Sequence, residues 1–413
     1  MLRDWQIQRR QHDGLEIANR AKIERKRENA YIVSSLTKRK TRYTVIADPN
    51  NPTCTCPDHE MHQEPCKHIY AVQLLIQREQ DDKASITTLP QVPRPSKPTY
   101  KQNWTAYIAA QMNETNEFQA MLYDLVQNIA EPERGQGRPP ISLVDALFLV
   151  IFKVYSAKSG RRVISQLHDA YERGFLERPI HYNRISSYLE KPSLSPVLRK
   201  LIVNSSRPLA AVETVFALDS TGFTGSRFTR WGDVKYRGKK ERRWAKLHLM
   251  CGVKTHVATD AIIDTPNAGD AGQLAALVST TAQHFTIREV VADKGYSVVD
   301  SHEEVAKIGA DVYIPFKKTA TGGSGGLWEK AYLYYMLNRE DFLKHYHLRS
   351  NVETAIMMMK TKFGDGVRSK LPVPMANEVY AKVVAHNIYC LIMSMYEFGI
   401  TSEFLASKLK MAG

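Results

Sequence analysis

KHYHLRSNVETAIMMMKTKFG, residues Lys344 to Gly364, carries four polar side chains, Tyr346, Arg349, Glu353 and Lys360, at successive gaps of three, four and seven residues. Those gaps match the helical repeat, so the spacing predicts one helix with an acid, two bases and a phenol along a single stripe. Such a stripe suits an anionic partner. It also suits a plain solvated face with one Arg349–Glu353 pair, worth ~0.3–0.5 kcal/mol. The choice depends on what lies upstream.

Two aspartates there close apolar runs. In TVFALDSTGF, Val215 to Leu218 lead into Asp219, and in IREVVADKGYS, Val290 to Ala292 lead into Asp293. Continuous apolar runs closed by small polar residues read as strands buried on both faces. Ligand sites in open α/β sheets lie beyond the carboxyl ends of the strands, so both acids can face one crevice, with Glu353 added from the helix. Either aspartate alone is an ordinary turn former or helix cap. Three carboxylates brought together repel unless a cation sits among them. Hard oxygen ligands without thiolate or imidazole favour Mg2+ or Mn2+, and a pair of such ions ~3.5–4 Å apart serves phosphodiester displacement.

Tyr-x2-Arg-x3-Glu-x6-Lys, here Tyr346, Arg349, Glu353 and Lys360, resembles the signature of insertion-sequence DDE transposases, and Asp219 and Asp293 resemble that class's two aspartates. The resemblance spans roughly Gly137 to Ile400. It implies an α/β chain with an RNase H-like mixed-sheet catalytic core. Matching elements are Asp219 at the end of strand one, an antiparallel pair over Leu247–Val253 and Val257–Ile263, and a helix over Asp270–Phe285. A strand over Val290–Asp293, a helix over Ser297–Ile308 and a strand over Val312–Phe316 follow. Some members insert a β-rich segment with a Trp before the Glu helix. Between Phe316 and Tyr346 this chain has only a short stretch with TGGSGG and Trp328, which leaves the route of second-strand cleavage open.

The 413 residues, 43% apolar, suffice for two or three domains with real cores. A formal charge of +14 points to a polyanionic partner, or merely to a soluble surface. Its distribution says more. Arg227, Arg230, Lys235, Arg237, Lys239, Lys240, Arg242, Arg243 and Lys246 crowd one segment against only Asp233 and Glu241, with Phe228, Trp231, Tyr236 and Trp244 interleaved. Such a segment can neutralise phosphates and stack bases, with Arg227, Arg230, Trp231, Lys235, Arg237, Lys239, Lys240, Arg242 and Arg243 as the DNA-binding candidates. A solvated hairpin has the same composition. The amino terminus is charged throughout, and Leu143–Tyr155, the most apolar run, is too short to span a bilayer. Five cysteines, three of them clustered, suit a reducing compartment and a metal rather than disulfides.

Cys54 and Cys56 in PTCTCPDHE, with Cys66 and His68 in EPCKHIYAV, supply a closed thiolate and imidazole set suited to structural zinc. The pattern, with the preceding YIVSS and RYTVIA strands and a helix through Ile69, Val72, Leu75 and Ile76, resembles the SWIM zinc finger. His59 and His62 read as exposed loop residues rather than ligands. From Thr87 to Thr99, four prolines mark a spacer. Trp104 to Ile129 reads as an amphipathic helical pair, and Ser142 as the cap of the helix after it. Arg161, Arg162 and Arg184 fit either a helix-turn-helix reader or a helical scaffold. His386 and Asn387 read as core or capping residues.

The expected organisation is a zinc module over 1–86, a linker over 87–103, a helical domain with possible DNA contacts over 104–210, a catalytic domain over 211–400 and a tail over 401–413. The resemblance implies a cut-and-paste transposase that binds the inverted repeats of its own element. Asp219, Asp293 and Glu353 would hold Mg2+ (or Mn2+), and Tyr346, Arg349 and Lys360 would act on phosphates. It further implies double-stranded DNA as partner, a homodimer in synapsis, no membrane, and a cytoplasmic, nucleoid-associated location. A transposase-derived DNA-binding regulator and a plain metal-dependent nuclease are the alternatives.

Overall fold

Val215–Leu218, the apolar run that ends at the first aspartate, lies at the centre of a five-stranded mixed sheet in the computed structural model. Residues 2–36, 41–81, 103–127, 129–133, 140–225, 244–265, 268–317, 319–401 and 404 are described. The chain divides into two compact units, Met1–Lys101 and Gln102–Gly413.

In the first unit, helix α1 (Leu2–Arg20) precedes an antiparallel sheet in the order β1 (Ile23–Arg27), β2 (Ala30–Ser34), β3 (Arg42–Ile46) and β4 (Thr53–Cys54). Helices α2 (Pro57–His62) and α3 (Lys67–Asp81) follow. β2 and β3 coincide with YIVSS and RYTVIA. Helix α1 crosses α3 where Gly14 carries no side chain, since a Cβ there would stand 2.7 Å from the Tyr70 Cβ. Arg10 of α1 donates to Asp58 and Glu64 at 2.9 and 2.7 Å, gripping the segment between the two ligand pairs. His59 and His62 lie on helix α2 rather than in a loop. The Cys56-Pro57 start provides a first turn that needs no N–H from proline, and the His59 and His62 Nδ1 atoms lie 2.8 and 2.9 Å from the Glu64 and Asp58 carbonyl oxygens.

In the second unit, helices α4 (Trp104–Gln127), α5 (Leu143–Tyr155), α6 (Ile164–Glu172), α7 (Asn183–Leu189) and α8 (Leu194–Ser206) lead into the sheet. α4 is one helix over Trp104–Gln127 rather than the expected helical pair. The Asn113 side chain donates to the Ala109 carbonyl four residues back, which lets an otherwise turn-prone residue stay helical. The Ser142 hydroxyl caps α5 by accepting from the Asp145 amide.

The sheet comprises β5 (Val215–Thr224), β6 (Trp244–Gly252), β7 (Ala258–Asp264), β8 (Glu289–Ala292) and β9 (Asp311–Tyr313), in the order β7-β6-β5-β8-β9. The first three pair antiparallel, and β5-β8-β9 pair parallel. Strand alternation separates two cores. Ala217, Leu247, Leu249 and Val291 face the helices α4 to α8 and the carboxyl-terminal helices, so those helices and this side of the sheet share one core. Phe216, Leu218, Met250, Val290 and Ala292 face α9 (Ala271–Ala282) and α10 (Val299–Lys307). The result is the expected RNase H-like arrangement of a mixed sheet between helical layers.

Helices α11 (Gly326–Leu337), α12 (Arg339–Tyr346), α13 (Ser350–Phe363) and α14 (Pro372–Phe398) complete the unit. The short stretch before the glutamate is therefore helical, with Trp328 donating to the Thr321 carbonyl and packed on Phe316. Asn387 of α14 is buried and satisfies four partners: it accepts from the Ala258 amide and donates to Ala258 O, Ile202 O and Ser205 Oγ. One side chain thus joins α14, β7 and α8, and His386 beside it donates from Nε2 to the His256 carbonyl oxygen, which makes both core residues. No helix among the described residues is long and apolar enough to cross a membrane.

Candidate active site

Leu218 and Ala292 form the last register pair of the parallel β5–β8 ladder, and Asp219 and Asp293 are the residues that follow them. Side-chain alternation turns both acids toward the face of Ala217 and Val291, where α13 lies. β5 does not end at Asp219, however. It continues to Thr224, paired with β6 as Asp219↔Leu249 through Thr224↔Trp244. Only its parallel neighbour stops, so Asp219 is held by a ladder on one side and open on the other.

The helix stripe also differs from a single cylinder. Tyr346 ends α12, a 3₁₀ turn spans His347–Arg349, and Glu353 and Lys360 lie on α13. The backbone stays right-handed through the junction, with φ −62° and ψ −19° at His347. A 3₁₀ turn winds more tightly than an α-helix and brings Arg349 over the strand.

There the Arg349 guanidinium donates from Nη1 to Asp219 at 3.2 Å and from Nη2 to Glu353 at 2.6 Å. Burial pushes the Asp219 carboxyl above its ordinary range, the Ser220 amide and Arg349 oppose this, and the charges of Asp293 and Glu353 push it further up. For Arg349, burial works against the charged form, but the bond to Glu353 and the charges of Tyr346, Glu353 and Asp219 outweigh it and raise its pKa. Tyr346 is raised by burial and stands over the same cation, 5.9 Å from the guanidinium carbon to the ring. Lys360 donates to the Thr221 hydroxyl at 2.6 Å and is lowered by burial, partly offset by Asp365. A cavity of about 640 Å³ opens here, lined by Asp219, Thr221, Glu353, Met357, Lys360 and Asp365.

Asp219, Glu353, Arg349 and Lys360 thus meet at one cleft, with Asp293 close enough to act on the Asp219 charge. The ligand atoms of the three acids do not converge within 4.8 Å of one another; among the described residues the four ligands near residue 60 are the one group that does. Three carboxylates against Arg349 and Lys360 leave the acids in excess, and the donors are all hard oxygens, so the set fits a divalent cation of the Mg2+ type. The basic candidates Arg227, Arg230, Trp231, Lys235, Arg237, Lys239, Lys240, Arg242 and Arg243 fall outside the described residues. Arg161, Arg162 and Arg184 are exposed, with Arg161 over the Tyr182 ring.

Cys54, Cys56, Cys66 and His68 are all buried, with Cys66 Sγ 3.9 Å from His68 Nδ1. Tetrahedral zinc sets ligand atoms roughly 3.5–3.8 Å apart, so the set fits that metal and leaves no open position. Hydrogen bonds from Cys54 and Cys66 hold the Cys56 thiol far below the ordinary range, and its bond to Cys56 pushes Cys54 up. A bound zinc ion would favour the thiolate form of all three cysteines.

Residues 210–388 match the family described as Transposase DDE domain, and residues 43–75 match the SWIM zinc finger. The chain carries a transposase DDE domain and, ahead of it, a SWIM zinc finger. No curated protein matches it. Among solved structures it is similar to the piggyBac transposase synaptic complex with hairpin DNA, at 10% identity over 73% of this chain and 78% of that one, with a TM-score of 0.32.

Proposed function

We propose that the chain is a cut-and-paste DNA transposase that binds the terminal inverted repeats of its own element, cleaves DNA and joins the 3′ ends to target DNA. The observation that carries this reading is the placement of Asp219 and Asp293 directly after the last parallel pair, with Arg349 tying Asp219 to Glu353. Asp219, Asp293 and Glu353 would hold Mg2+ or Mn2+, which would supply activation of the attacking oxygen and stabilisation of the leaving one. Arg349 keeps two of these carboxylates oriented and offers its remaining donors to phosphate. Lys360, partly desolvated at the cavity wall, provides a second phosphate contact, and Tyr346 packs against the substrate strand beside Arg349. No side chain need act as a nucleophile.

The basic candidates between Arg227 and Arg243 supply phosphate contacts. On this reading the zinc module covers 1–86, followed by the linker 87–103, the helical segment 104–210, the catalytic segment 211–400 and the tail. Two copies acting together on double-stranded DNA, in the cytoplasm at the nucleoid, complete the proposal.

Asp219→Ala is the test. With a duplex carrying the DNA that flanks the chain's own open reading frame, the variant should bind as the parent does but neither cut nor join in Mg2+. Cutting by the variant would end the assignment. Cutting without joined products in the parent would make it a nuclease, and binding without either would make it a regulator.

A further inference from the structure

Asp270, immediately before α9, is absent from the acids that the sequence singles out, yet it touches both aspartate-bearing segments from the opposite face of the sheet. Its carboxylate pairs with Lys246 Nζ at 2.8 Å and stands 3.6 Å from His248 Nδ1. Burial opposes ionisation, but Lys246 and then the Ser220 side chain, one residue after Asp219, hold this carboxyl below the ordinary carboxylate range. Ser220 lies opposite His248 in the β5–β6 register, and Gly222 opposite Lys246, so this group shares the α9 face while Asp219 faces the other way. On the second side, Gly295, two residues after Asp293, lies against the same carboxylate: a Cβ there would stand 3.3 Å from Asp270 Oδ2. The buried Tyr296 phenol adjoins them, its ionisation suppressed by burial and then by the charges of Asp270, Asp219 and Asp293.

We propose that Asp270 is a positioning residue that braces the Asp219 and Asp293 strand ends from behind and sets their separation for the divalent cation. The proposal rests on the function proposed for those two acids. A brace is needed because the parallel ladder stops at Leu218↔Ala292, so no backbone bond between β5 and β8 holds the next residues against carboxylate repulsion. Asp270 fills that role by facing Ser220 on one strand and seating Gly295 of the other. Lys246, itself anchored by donating to the Ala268 carbonyl at 2.7 Å, neutralises it, so the brace adds no net charge beside the acids.

The experiment uses the full chain and titrates Mn2+ by the paramagnetic resonance of the free ion, alongside cleavage of the flanking-DNA duplex and thermal unfolding. Asp270→Ala should weaken Mn2+ binding and slow cleavage by roughly 10–100-fold, the range for removing a group that orients metal ligands, with DNA affinity unchanged. Asp270→Asn keeps a side chain of the same shape against Ser220 and Gly295 and should recover most of the loss. Gly295→Ala, which crowds the carboxylate from the far side, should reproduce the defect. The double variant Asp270→Ala with Gly295→Ala should be no worse than either single one. Parental Mn2+ binding in Asp270→Ala, or defects that multiply in the double variant, overturns the brace. If Asp219→Ala loses Mn2+ while Asp270→Ala does not, only the brace falls. If Asp219→Ala binds Mn2+ like the parent, the assignment of that acid falls and the brace with it.

Discussion

Arg349 donates to Asp219 at 3.2 Å, joining a 3₁₀ turn to a strand residue 130 positions earlier. The same guanidinium reaches Glu353 at 2.6 Å through its other terminal nitrogen. One planar cation therefore sets the spacing of two acids on different elements, a task that the fixed fork of arginine suits and the point charge of lysine does not.

Arg349→Ala should reduce DNA cleavage by about 10²-fold, the cost of losing one pre-aligned donor, while Arg349→Lys restores a minor part. Thermal unfolding should move little, because the Glu353 side of the pair is largely exposed and contributes little to stability. Cleavage at the parental rate in Arg349→Ala would remove this residue from the site.

Cys66→Ser should release about one zinc per chain, measured by elemental analysis, and expose the first unit to proteolysis. Three of the ten buried apolar residues in that unit's core are the ligands Cys54, Cys56 and Cys66, so losing the metal takes part of the core with it. Unchanged zinc content would reject this ligand set.

Asp145, 2% exposed at the start of α5, has its carboxyl pushed up to about 6 by burial. Its second oxygen has no hydrogen-bond partner. A raised acid favours the folded state while protonated, so its contribution is full below the unfolded pKa near 3.8 and is lost as pH rises through 6. Asp145→Asn should therefore be more stable than the parent at pH 8, by an amount on the order of 2–3 kcal/mol, and equal to it at pH 4. Urea unfolding at the two pH values decides; a variant weaker at pH 8 would show that the carboxylate is compensated.

The sheet was legible because buried parallel strands are continuous apolar runs, as at Val215–Leu218 and Val290–Ala292, and the zinc set because its ligands are close in sequence. The length of β5 was not. Ser220, Thr221 and Gly222 have turn chemistry, but they remain in the strand because β6 supplies a full ladder beyond the point where β8 stops. Helix α1 was hidden by its charged composition; its signal was Gly14 and Ile17, the close-approach and core positions of one face. Asp270 was hidden by a different cause. An acid ahead of a helix looks like a cap, and its contacts to Ser220 and Gly295 come only from tertiary pairing.

Because β8 pairs with β5 only after β6, β7 and α9 have been made, and Glu353 comes later still, an emerging polypeptide has no complete carboxylate edge for most of its synthesis. Non-local parallel pairing is also slow to close. On the proposed function, a chain still on the ribosome, or one cut short before Glu353, is harmless to the genome that encodes it.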